Sequence, residues 1–379
     1  VCVGHVPRLP PTSHFHLDST RSPMKPFFRL AHLHPRSLSR GIMSFREDSI
    51  PHELRTAAEP RQNRLYPVHL SHVEQVNQSV RLLQLAIHHS NDKQQQPFTF
   101  LPGQWLDVHI PSIAQAGGFT ITSTPADAEA LPSPDAPPDG ETAPLPTETT
   151  EPQGRAPYVE LAVQDSPANP SAAWLWRPKE EIIGKELNIR VGGSFVWPPA
   201  GMDVETVKNV VFIAGGVGIN PLISILSHLS NNSFQPPHHP TNIHFLYSSK
   251  LPPGASETSS SEETLNQILF LPRLRQIIRS QLHSHRLRIS LDLFLTDLES
   301  SSPLLTSSAG QLADLTIHPR RIGEHDLRSA AVGGDGRLDP RETVCYVCGP
   351  PQMTDQMVEL LRPVLGEGAE RRVLFEKWW

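Results

Sequence analysis

A short apolar run that breaks at glycines constrains this chain most. Residues Val210 to Ala214 are rich in β-branched side chains and carry no charge, which is typical of a parallel strand buried on both faces. The apolar pattern resumes with helical spacing from Ile219, and Pro221 stands in the first helical turn, where a missing amide proton costs nothing. The segment therefore predicts a strand, a tight loop and a helix.

The loop between these elements is rich in glycine. Glycines permit positive φ and let a phosphate approach the backbone, and the free amides and positive dipole at a helix start attract an anion. We predict that this loop binds a dinucleotide pyrophosphate, although the strict fingerprint G-x-G-x-x-G would need a last glycine where Pro221 stands. On this segment alone, a plain tight turn is the alternative. The residues assigned to the nucleotide are Gly215, Gly216, Val217, Gly218, Ile219, Asn220 and Pro221.

A second junction of strand and helix follows near the end of the chain. The buried-type strand that starts at Thr343 ends in Cys348-Gly349-Pro350, and an amphipathic helix follows it. Ligands of open parallel sheets bind at the carboxyl ends of the strands, so we predict that the two loops share one crevice. Cys348, Gly349 and Pro350 are therefore also assigned to the nucleotide. The alternative is a simple turn after a core cysteine.

Four segments in a fixed order resemble the ferredoxin-NADP reductase superfamily of flavin enzymes. They are Phe100 to Trp105, Gly118 to Ser123, the Gly216 loop and Cys348-Gly349-Pro350. Within this superfamily, the run from Arg190 to Phe195 and the closing residues 375 to 379 look most like the oxidoreductase NAD-binding domain-containing proteins. The resemblance covers about residues 64 to 379, and four ordered motifs are more specific than any one of them.

The resemblance implies that a barrel domain holds FAD or FMN and that an α/β domain delivers NAD(P)H. In this family an Arg-x-Tyr-Ser/Thr strand binds the flavin, and its arginine clamps the phosphate. The corresponding residues are Gly117-Gly118-Phe119-Thr120, so the aromatic ring and the hydroxyl are kept and the arginine is missing. A second flavin motif also matches poorly, because Ser171 stands one residue early. The residues assigned to the flavin are Phe119, Thr120, Ile121 and Thr122.

The resemblance also implies a catalytic set. Thr120 would hydrogen-bond near the acceptor nitrogen of the flavin, Cys348 would guide the nicotinamide, and Glu376 would supply an acid. Trp378 would lie over the flavin ring and move aside for the nicotinamide. The alternative is that the closing tryptophans only dock a C-terminal strand against the core. No metal ligand is assigned.

The fold class follows from the strand patterns. Short strands at intervals separated by turns predict an antiparallel barrel in the first domain, and alternating strands and helices predict a doubly wound parallel sheet in the second. A chain of 379 residues is long enough for two domains. The predicted strands cover residues 80–87, 105–110, 158–163 and 187–191, then 210–214, 243–247, 291–296 and 344–347.

The domain plan has three parts. Residues 1–63 are an N-terminal extension that is disordered or serves in targeting, residues 64–200 are the FAD-binding-type barrel, and residues 201–379 are the NAD(P)-binding domain. The 39 prolines and the 37% hydrophobic content point to inserts without a core. These inserts are predicted at residues 126–157, with shorter ones at 231–240, 252–263 and 299–308.

The N-terminal residues have a composition of their own. Residues 1–46 are rich in Lys, Arg and His and contain one acid, Asp18, a bias shared with mitochondrial transit peptides. We therefore expect mitochondrial import. A cytoplasmic protein is expected instead if the chain really starts at Met43.

The residues after the predicted strand 243–247 bear on the choice between NADH and NADPH. No acid follows the predicted strand 243–247, where NAD-specific folds commonly bind the ribose hydroxyls. Ser248 and Lys250 stand there instead, so the sequence predicts that NADPH is at least tolerated, with help from Arg320 and Arg321. The alternative is that Lys250 is only solvated.

These features predict a flavin-dependent oxidoreductase that passes hydride from NAD(P)H to the flavin, and then electrons to an acceptor the sequence does not name. The alternative is a non-catalytic nucleotide-binding protein descended from such a reductase. A flavin-free dehydrogenase is disfavoured, because it needs a proton-transfer group beside the nicotinamide and no His or Tyr is placed by either glycine motif to serve as one. The net charge of -6 disfavours nucleic acid. We expect a monomer without a membrane span whose three cysteines form no disulfide framework and no redox dithiol.

Overall fold

The computed structural model describes residues 50–87, 97–130, 155–231, 239–251, 261–284, 286–298, 304 and 314–378. All of them lie in one compact unit. The predicted leader and most of the four predicted inserts lie outside the described residues. The mitochondrial location and the domain boundaries stay predictions.

The first part of the described chain forms an antiparallel sheet. Its six strands run in the order β4-β3-β6-β1-β2-β5. They are β1 (Tyr66–Asn77), β2 (Val80–Ile87), β3 (Trp105–His109), β4 (Gly117–Thr120), β5 (Tyr158–Gln164) and β6 (Glu186–Gly192). A bridge between Ile121 and Leu161 joins the two outer strands, and the Thr122 amide donates to the Glu160 carbonyl at 2.8 Å. The sheet therefore closes into the predicted barrel.

Sequence reasoning did not find β1. Of its twelve residues only Val68 and Leu70 are fully buried, so the strand lacks the alternation that identifies a half-buried strand. Its pairing with β2 and β6 defines it instead. Three short helices accompany the barrel, namely α1 (His52–Arg55), α2 (Pro170–Leu175) and α3 (Lys179–Ile182).

The second part forms a parallel sheet with helices on both faces. Its six described strands run in the order β10-β9-β8-β7-β11-β12. They are β7 (Asn209–Gly215), β8 (Thr241–Ser249), β9 (Leu287–Leu295), β10 (Thr316–His318), β11 (Thr343–Gly349) and β12 (Val373–Lys377). The helices are α4 (Ile219–Ser230), α5 (Ser261–Asn266), α6 (Leu271–Gln281), α7 (Glu324–Val332), α8 (Pro351–Leu365) and α9 (Ala369–Arg372). This sheet, together with the barrel, confirms the predicted fold class.

Strand β7 shows why helices cover both faces of this sheet. Every residue of β7 is buried, and successive side chains point to opposite faces. Val210 and Phe212 pack in the cluster that includes α4 and α6, whereas Val211 and Ile213 pack in the cluster that includes α7 and α8. The unbroken apolar run in the sequence is therefore the signature of a central strand.

The barrel and the parallel sheet pack against each other through α4 and β11. The Asn220 side chain donates to the Ala162 carbonyl at 3.0 Å, and the Ser224 hydroxyl donates to the Ser123 carbonyl at 2.7 Å. On the other side, the buried Tyr346 hydroxyl donates to the carbonyl of Val196 at 2.8 Å. No helix among the described residues is long and apolar enough to cross a bilayer.

An ion pair also joins the two parts. Arg273 of α6 donates to both carboxylate oxygens of the buried Glu160, at 2.8 and 3.0 Å, and the Thr122 hydroxyl donates to the same carboxylate. Burial by itself lowers the pKa of Arg273, but the contact with Glu160 outweighs this effect and raises it. The pair therefore stays charged.

Replacing Arg273 with methionine is expected to destabilise the protein by about 3 kcal/mol, because a buried carboxylate loses its partner. Chemical denaturation of the full chain measures this cost. The double variant Arg273→Met, Glu160→Gln removes both charges and should recover most of the loss. A single variant within about 0.5 kcal/mol of the wild type would contradict this account.

Candidate functional site

The glycine loop joins β7 to α4 as the sequence predicts. Strand β7 ends at Gly215, residues Gly216–Gly218 form one 3-10 turn, and α4 starts at Ile219. Of the three loop glycines only Gly216 has a positive φ, at 53°, and a Cβ added there would meet nothing within 4 Å. Gly216 is exposed and Val217 is half-buried, so these two residues present the loop backbone to solvent.

Gly218 and Gly215 have ordinary φ angles of -62° and -122°. A Cβ on Gly218 would lie 2.1 Å from the carbonyl oxygen of Cys348, and one on Gly215 would lie 2.5 Å from the Met353 sulfur. Conformational freedom was therefore the wrong reason for these two glycines. They are required because the segment packs directly against the loop after β11.

The loop after β11 forms the other wall. A Cβ on Gly349 would lie 3.2 Å from the Cα of Gly215. The Gly349 carbonyl accepts from the Thr354 hydroxyl at 3.1 Å and from the Trp378 amide at 2.9 Å, whereas Pro350 is exposed. The strand order reverses between β7 and β11, so the two loops meet at the topological switch point. Ligands of doubly wound sheets bind at this point.

The start of α4 is largely covered. Ile219, Asn220 and Pro221 are buried, and the Ile219 amide already donates within the turn. The Asn220 side-chain nitrogen donates to the barrel, while its Oδ1 is buried without a hydrogen-bond partner. The helix therefore offers a ligand its dipole and one unpaired side-chain oxygen rather than a row of open amides.

Cys348 lies opposite Glu376 in the parallel register of β11 and β12. Its thiol is fully buried, and burial together with the nearby Glu376 raises the pKa of Cys348 well above its usual value. The thiol is therefore protonated at neutral pH. Cys345 packs on the opposite face of the strand, and both cysteines are free. The two cysteines lie on opposite faces of the strand, as the alternation predicted.

Glu376 and Trp378 line the same end of β11. The Glu376 side chain is only partly covered, but its Oε2 is buried and has no hydrogen-bond partner in the described part of the chain. Burial, with a smaller effect of Glu59, raises the pKa of Glu376 to about 8. The indole of the half-buried Trp378 lies beside the Cys348 thiol and lowers the pKa of that thiol against the larger effect of burial, and its buried nitrogen makes no well-formed hydrogen bond among the described residues. Trp379 lies outside the described residues.

The raised pKa of Glu376 gives a stability prediction with a definite sign. Between the ordinary glutamate pKa of about 4.3 and the native value of about 8, the native state binds a proton that the unfolded chain has lost. Stability therefore falls as pH rises through this window. Thermal unfolding at pH 5 and pH 8 should show a smaller decrease for Glu376→Gln than for the wild type, and equal decreases would contradict the assignment.

The residues that the resemblance assigns to the flavin are all on or just after β4. Phe119 and Ile121 point into the barrel core, and the Thr122 hydroxyl donates to Glu160. Thr120 points to the other face, is 1% exposed, and its hydroxyl has no hydrogen-bond partner among the residues that the structure describes. Of these four residues, only Thr120 therefore offers an unpaired polar group.

Comparisons with known proteins agree with this geometry. The family model of the ferric reductase NAD binding domain matches residues 207–285, which include the glycine loop and β8. A cytochrome P450 reductase from Amycolatopsis superposes with a TM-score of 0.51 at 17% identity, covering 84% of this chain and 70% of its own. A ferredoxin NADP+ reductase from Neisseria gonorrhoeae, solved with bound FAD and NADP, superposes with a TM-score of 0.50 at 13% identity, covering 84% of this chain and 100% of its own. The chain has the ferredoxin-NADP reductase fold.

Proteins that are similar in sequence have the family name that the motifs indicated. An oxidoreductase NAD-binding domain-containing protein 1 from Danio rerio is 28% identical over 328 residues, covering 86% of this chain and 97% of the relative. The protein of the same name from Xenopus tropicalis is 29% identical over 344 residues, covering 91% and 88%. The predicted resemblance is confirmed.

Gly117 stands where the ferredoxin-NADP reductase resemblance places an arginine. A Cβ there would lie 2.5 Å from the Phe119 ring and 2.5 Å from the Ser171 Cβ. The space that the family gives to an arginine is therefore closed. The residues present therefore lack the charged clamp for a flavin phosphate at this position, whereas the Thr120 hydroxyl, Glu376 Oε2 and Trp378 Nε1 are buried polar atoms without a hydrogen-bond partner among the described residues, which a flavin ring would satisfy.

The outer face of β3 and β4 contains a polar cluster that sequence reasoning missed. Asp107 is fully buried and lies 3.0 Å from Arg61, 2.7 Å from Arg190 and 3.2 Å from the His52 ring. The His52 ring also fills the space over Gly118 and meets Trp105 edge-on at 4.7 Å. Residues 50–63, assigned above to the extension, thus cover the barrel. The signal in the sequence that could have indicated this cluster was Asp107, an acid within an otherwise apolar strand.

Three residues of this region bring possible metal ligands together. One ligand atom each from Glu53, Asp107 and His109 lies within 4.8 Å of the others. Because two guanidinium groups already bind the Asp107 carboxylate, a cation there would be repelled. The cluster is structural.

Ser248 and Lys250 lie where the sequence analysis expected them. Ser248 pairs with Gly215 across β8 and β7, so it reaches the same edge of the sheet as the glycine loop, and Lys250 is exposed just beyond it. Arg320 is not available for a nucleotide phosphate, because both of its terminal nitrogens bind Asp326, at 2.6 and 2.8 Å.

A cavity of about 450 Å³ lies elsewhere in the parallel-sheet part. Asn242, His244, Gln281 and Ser290 line it, and they belong to the first residues of β8 and β9 and the end of α6. Since the switch-point crevice is at the carboxyl ends of the strands, this cavity is not part of the candidate site.

Proposed function

We propose that this protein is an NAD(P)H-dependent oxidoreductase that binds the dinucleotide in the switch-point crevice and passes hydride to a flavin ring, with electrons leaving to a further acceptor. The contact between the Gly215–Gly218 segment and the loop after β11 carries the proposal, because it puts a glycine-rich backbone at the point where doubly wound sheets bind nucleotides.

The phosphates of the dinucleotide would lie on Gly216 and Val217. Gly216 faces open space and is exposed, so a phosphate can approach its backbone without meeting a side chain. The positive end of the twelve-residue helix α4 lies directly behind this turn and favours the negative charge. Ser248 and Lys250 would contact the adenosine ribose, since Ser248 adjoins Gly215.

The nicotinamide would enter beside Cys348. A protonated thiol is small and uncharged, so it allows the ring to approach without adding negative charge to a hydride donor. Trp378 covers this end of β11 and would move to admit the ring. Glu376 holds a proton up to a pH of about 8 and would supply one when the acceptor is reduced.

A bound flavin would supply the hydride-accepting chemistry, while the protein supplies geometry and electrostatics. Buried polar atoms without partners are uncommon in native proteins and call for an explanation. Thr120 Oγ1, Glu376 Oε2 and Trp378 Nε1 are three such atoms, and each belongs to a residue that the motifs assign to the reaction. A polar ring that accepts and donates hydrogen bonds accounts for all three.

Replacing Thr120 with valine keeps the shape of the side chain and removes its hydroxyl. We expect flavin reduction to slow by about tenfold, the equivalent of one lost hydrogen bond, while NADPH binding stays within about twofold. Stopped-flow reduction and calorimetry measure the two quantities. Equal effects on both would remove Thr120 from its proposed place.

A second candidate is a nucleotide-binding protein without redox activity. The closed space at Gly117 and the burial of Phe119 in the barrel core favour this alternative, because both depart from a flavin-binding strand. It shares the dinucleotide crevice with the first proposal and differs only at the flavin.

Anaerobic absorption spectroscopy separates the two proposals. The purified full chain is mixed with FAD, FMN or riboflavin, and NADH or NADPH is then added. Bleaching of the flavin bands at catalytic protein concentration supports the oxidoreductase and identifies the preferred nucleotide. Dinucleotide binding by calorimetry without any bleaching supports the second candidate.

A further inference from the structure

We propose that this protein recognises flavin by its ring alone and uses it as an exchangeable substrate, so that riboflavin, FMN and FAD serve about equally. The inference rests on the proposed function and specifies its substrate class. Three observations at β4, α2 and the nearby arginines carry it.

The first observation is the closed space at Gly117. The Phe119 ring and the Ser171 Cβ both lie within 2.5 Å of the point where a Cβ would stand. Phe119 is only 7% exposed and belongs to the barrel core, so it is held by packing rather than resting on the surface. A side chain at position 117, and with it the arginine of the family, cannot be placed without displacing a core side chain.

The second observation is the start of α2. The amides of Ser171 and Ala172 would be the free donors for a phosphate at this end of the barrel. Both already donate to the Asn169 side chain, at 3.1 and 3.2 Å. The Asn169 cap satisfies the donors that an anion would need.

The third observation concerns the arginines. Four arginines in the described part of the chain contact the barrel around β4 and the residues that follow it, and each binds a carboxylate. The pairs are Arg61 and Arg190 with Asp107, Arg155 with Asp127, and Arg273 with Glu160. Because Asp107 and Glu160 are buried, withdrawing an arginine from either one would leave an uncompensated buried charge.

The residues assigned to the flavin ring differ from those that would bind its phosphate. The buried polar atoms of Thr120, Glu376 and Trp378 make no hydrogen bond among the described residues, and the indole of Trp378 offers an aromatic face. The structure thus leaves polar groups unpaired for the ring, which all flavins share. The groups that could bind a phosphate, which distinguishes FMN and FAD from riboflavin, are already engaged. Among the described residues a flavin held in this way has no charged anchor, so it exchanges with solution.

Flavin fluorescence quenching on the full chain tests the inference, with riboflavin, FMN and FAD as separate probes, in the absence and presence of NADP+. A charge-assisted phosphate clamp contributes about tenfold to a hundredfold in affinity. We expect the three Kd values to agree within about threefold and to change little between 50 and 500 mM salt.

Two variants sharpen the test. Thr120→Val should weaken all three flavins by a similar factor, whereas Ser171→Ala should leave the ratio of the FMN and riboflavin Kd values unchanged. Loss of FMN affinity alone in Ser171→Ala would mean that the phosphate does contact α2, which would overturn the inference.

The outcomes also separate this inference from the proposed function. FAD that copurifies, or that binds more than about tenfold tighter than riboflavin, overturns the ring-only inference and leaves the flavin-dependent oxidoreductase intact. If none of the three flavins quenches and none is reduced, both proposals are overturned in favour of the second candidate.

Discussion

Replacing Gly218 with valine is expected to abolish dinucleotide binding and to destabilise the protein by about 3 kcal/mol, at the upper end of overpacking effects. A Cβ at this position would lie 2.1 Å from the Cys348 carbonyl oxygen and 2.7 Å from the Gly349 nitrogen. Both obstacles are backbone atoms of a buried strand end, so they cannot rotate away. The two walls of the crevice must separate, and the backbone that would bind the dinucleotide phosphates is displaced.

Calorimetry with NADPH and chemical denaturation measure the two effects. Gly334→Val is the matched control, because Gly334 is an exposed glycine whose added Cβ meets nothing nearer than 3.7 Å. This control should bind NADPH normally and unfold within about 0.5 kcal/mol of the wild type. Normal NADPH affinity in Gly218→Val would exclude the crevice as the nucleotide site.

Replacing Asp107 with asparagine is expected to destabilise the protein by about 3 kcal/mol, because two guanidinium groups lose a buried counter-charge. The side chains of Arg61 and Arg190 are 15% and 28% exposed, so water compensates them only in part. The exposed pair of Asp335 and Arg337 is the matched control. Asp335→Asn should cost no more than about 0.5 kcal/mol, and an equal cost for both variants would refute the structural role of Asp107.

The same aspartate predicts how stability depends on acid. Burial by itself raises the pKa of Asp107, but hydrogen bonds from His52, Arg190 and Arg61 outweigh it and hold the pKa well below its usual range. The unfolded chain therefore binds this proton at higher pH than the native state does. The stabilisation is complete above a pH of about 4 and is lost as the pH falls below it. Asp107→Asn should reduce this loss of stability at acid pH, which a series of denaturation midpoints measured at different pH values would show.

Local signals were sufficient where one element decides the structure. The uncharged run from Val210 to Ala214 identified a central strand, and the glycines after it marked the loop. The shared crevice could also be predicted, because a reversal of strand order is a property of the whole doubly wound pattern. The reason for Gly218 could not be predicted, since it depends on a contact with Cys348 more than a hundred residues away.

The barrel site was harder to predict for the same reason. The motif around Phe119 marks β4 correctly, but its sequence does not tell which side chains point into the core. The role of residues 50–63 was missed because His52 and Arg61 acquire it only through Asp107 and Gly118. Polar residues in a segment with few apolar ones indicate an extension unless a buried partner is known.

The pairing of β7 with β11 has a consequence for the order of assembly. Asn209 and Thr343, which open this pairing, are 134 residues apart in the chain. Contacts between such distant residues form slowly, because the entropy of a long loop must be overcome first. During refolding, recovery of NADPH binding should therefore lag behind the gain of helix, and a species that has formed β7 and α4 but not β11 will have the glycine turn without a nucleotide site.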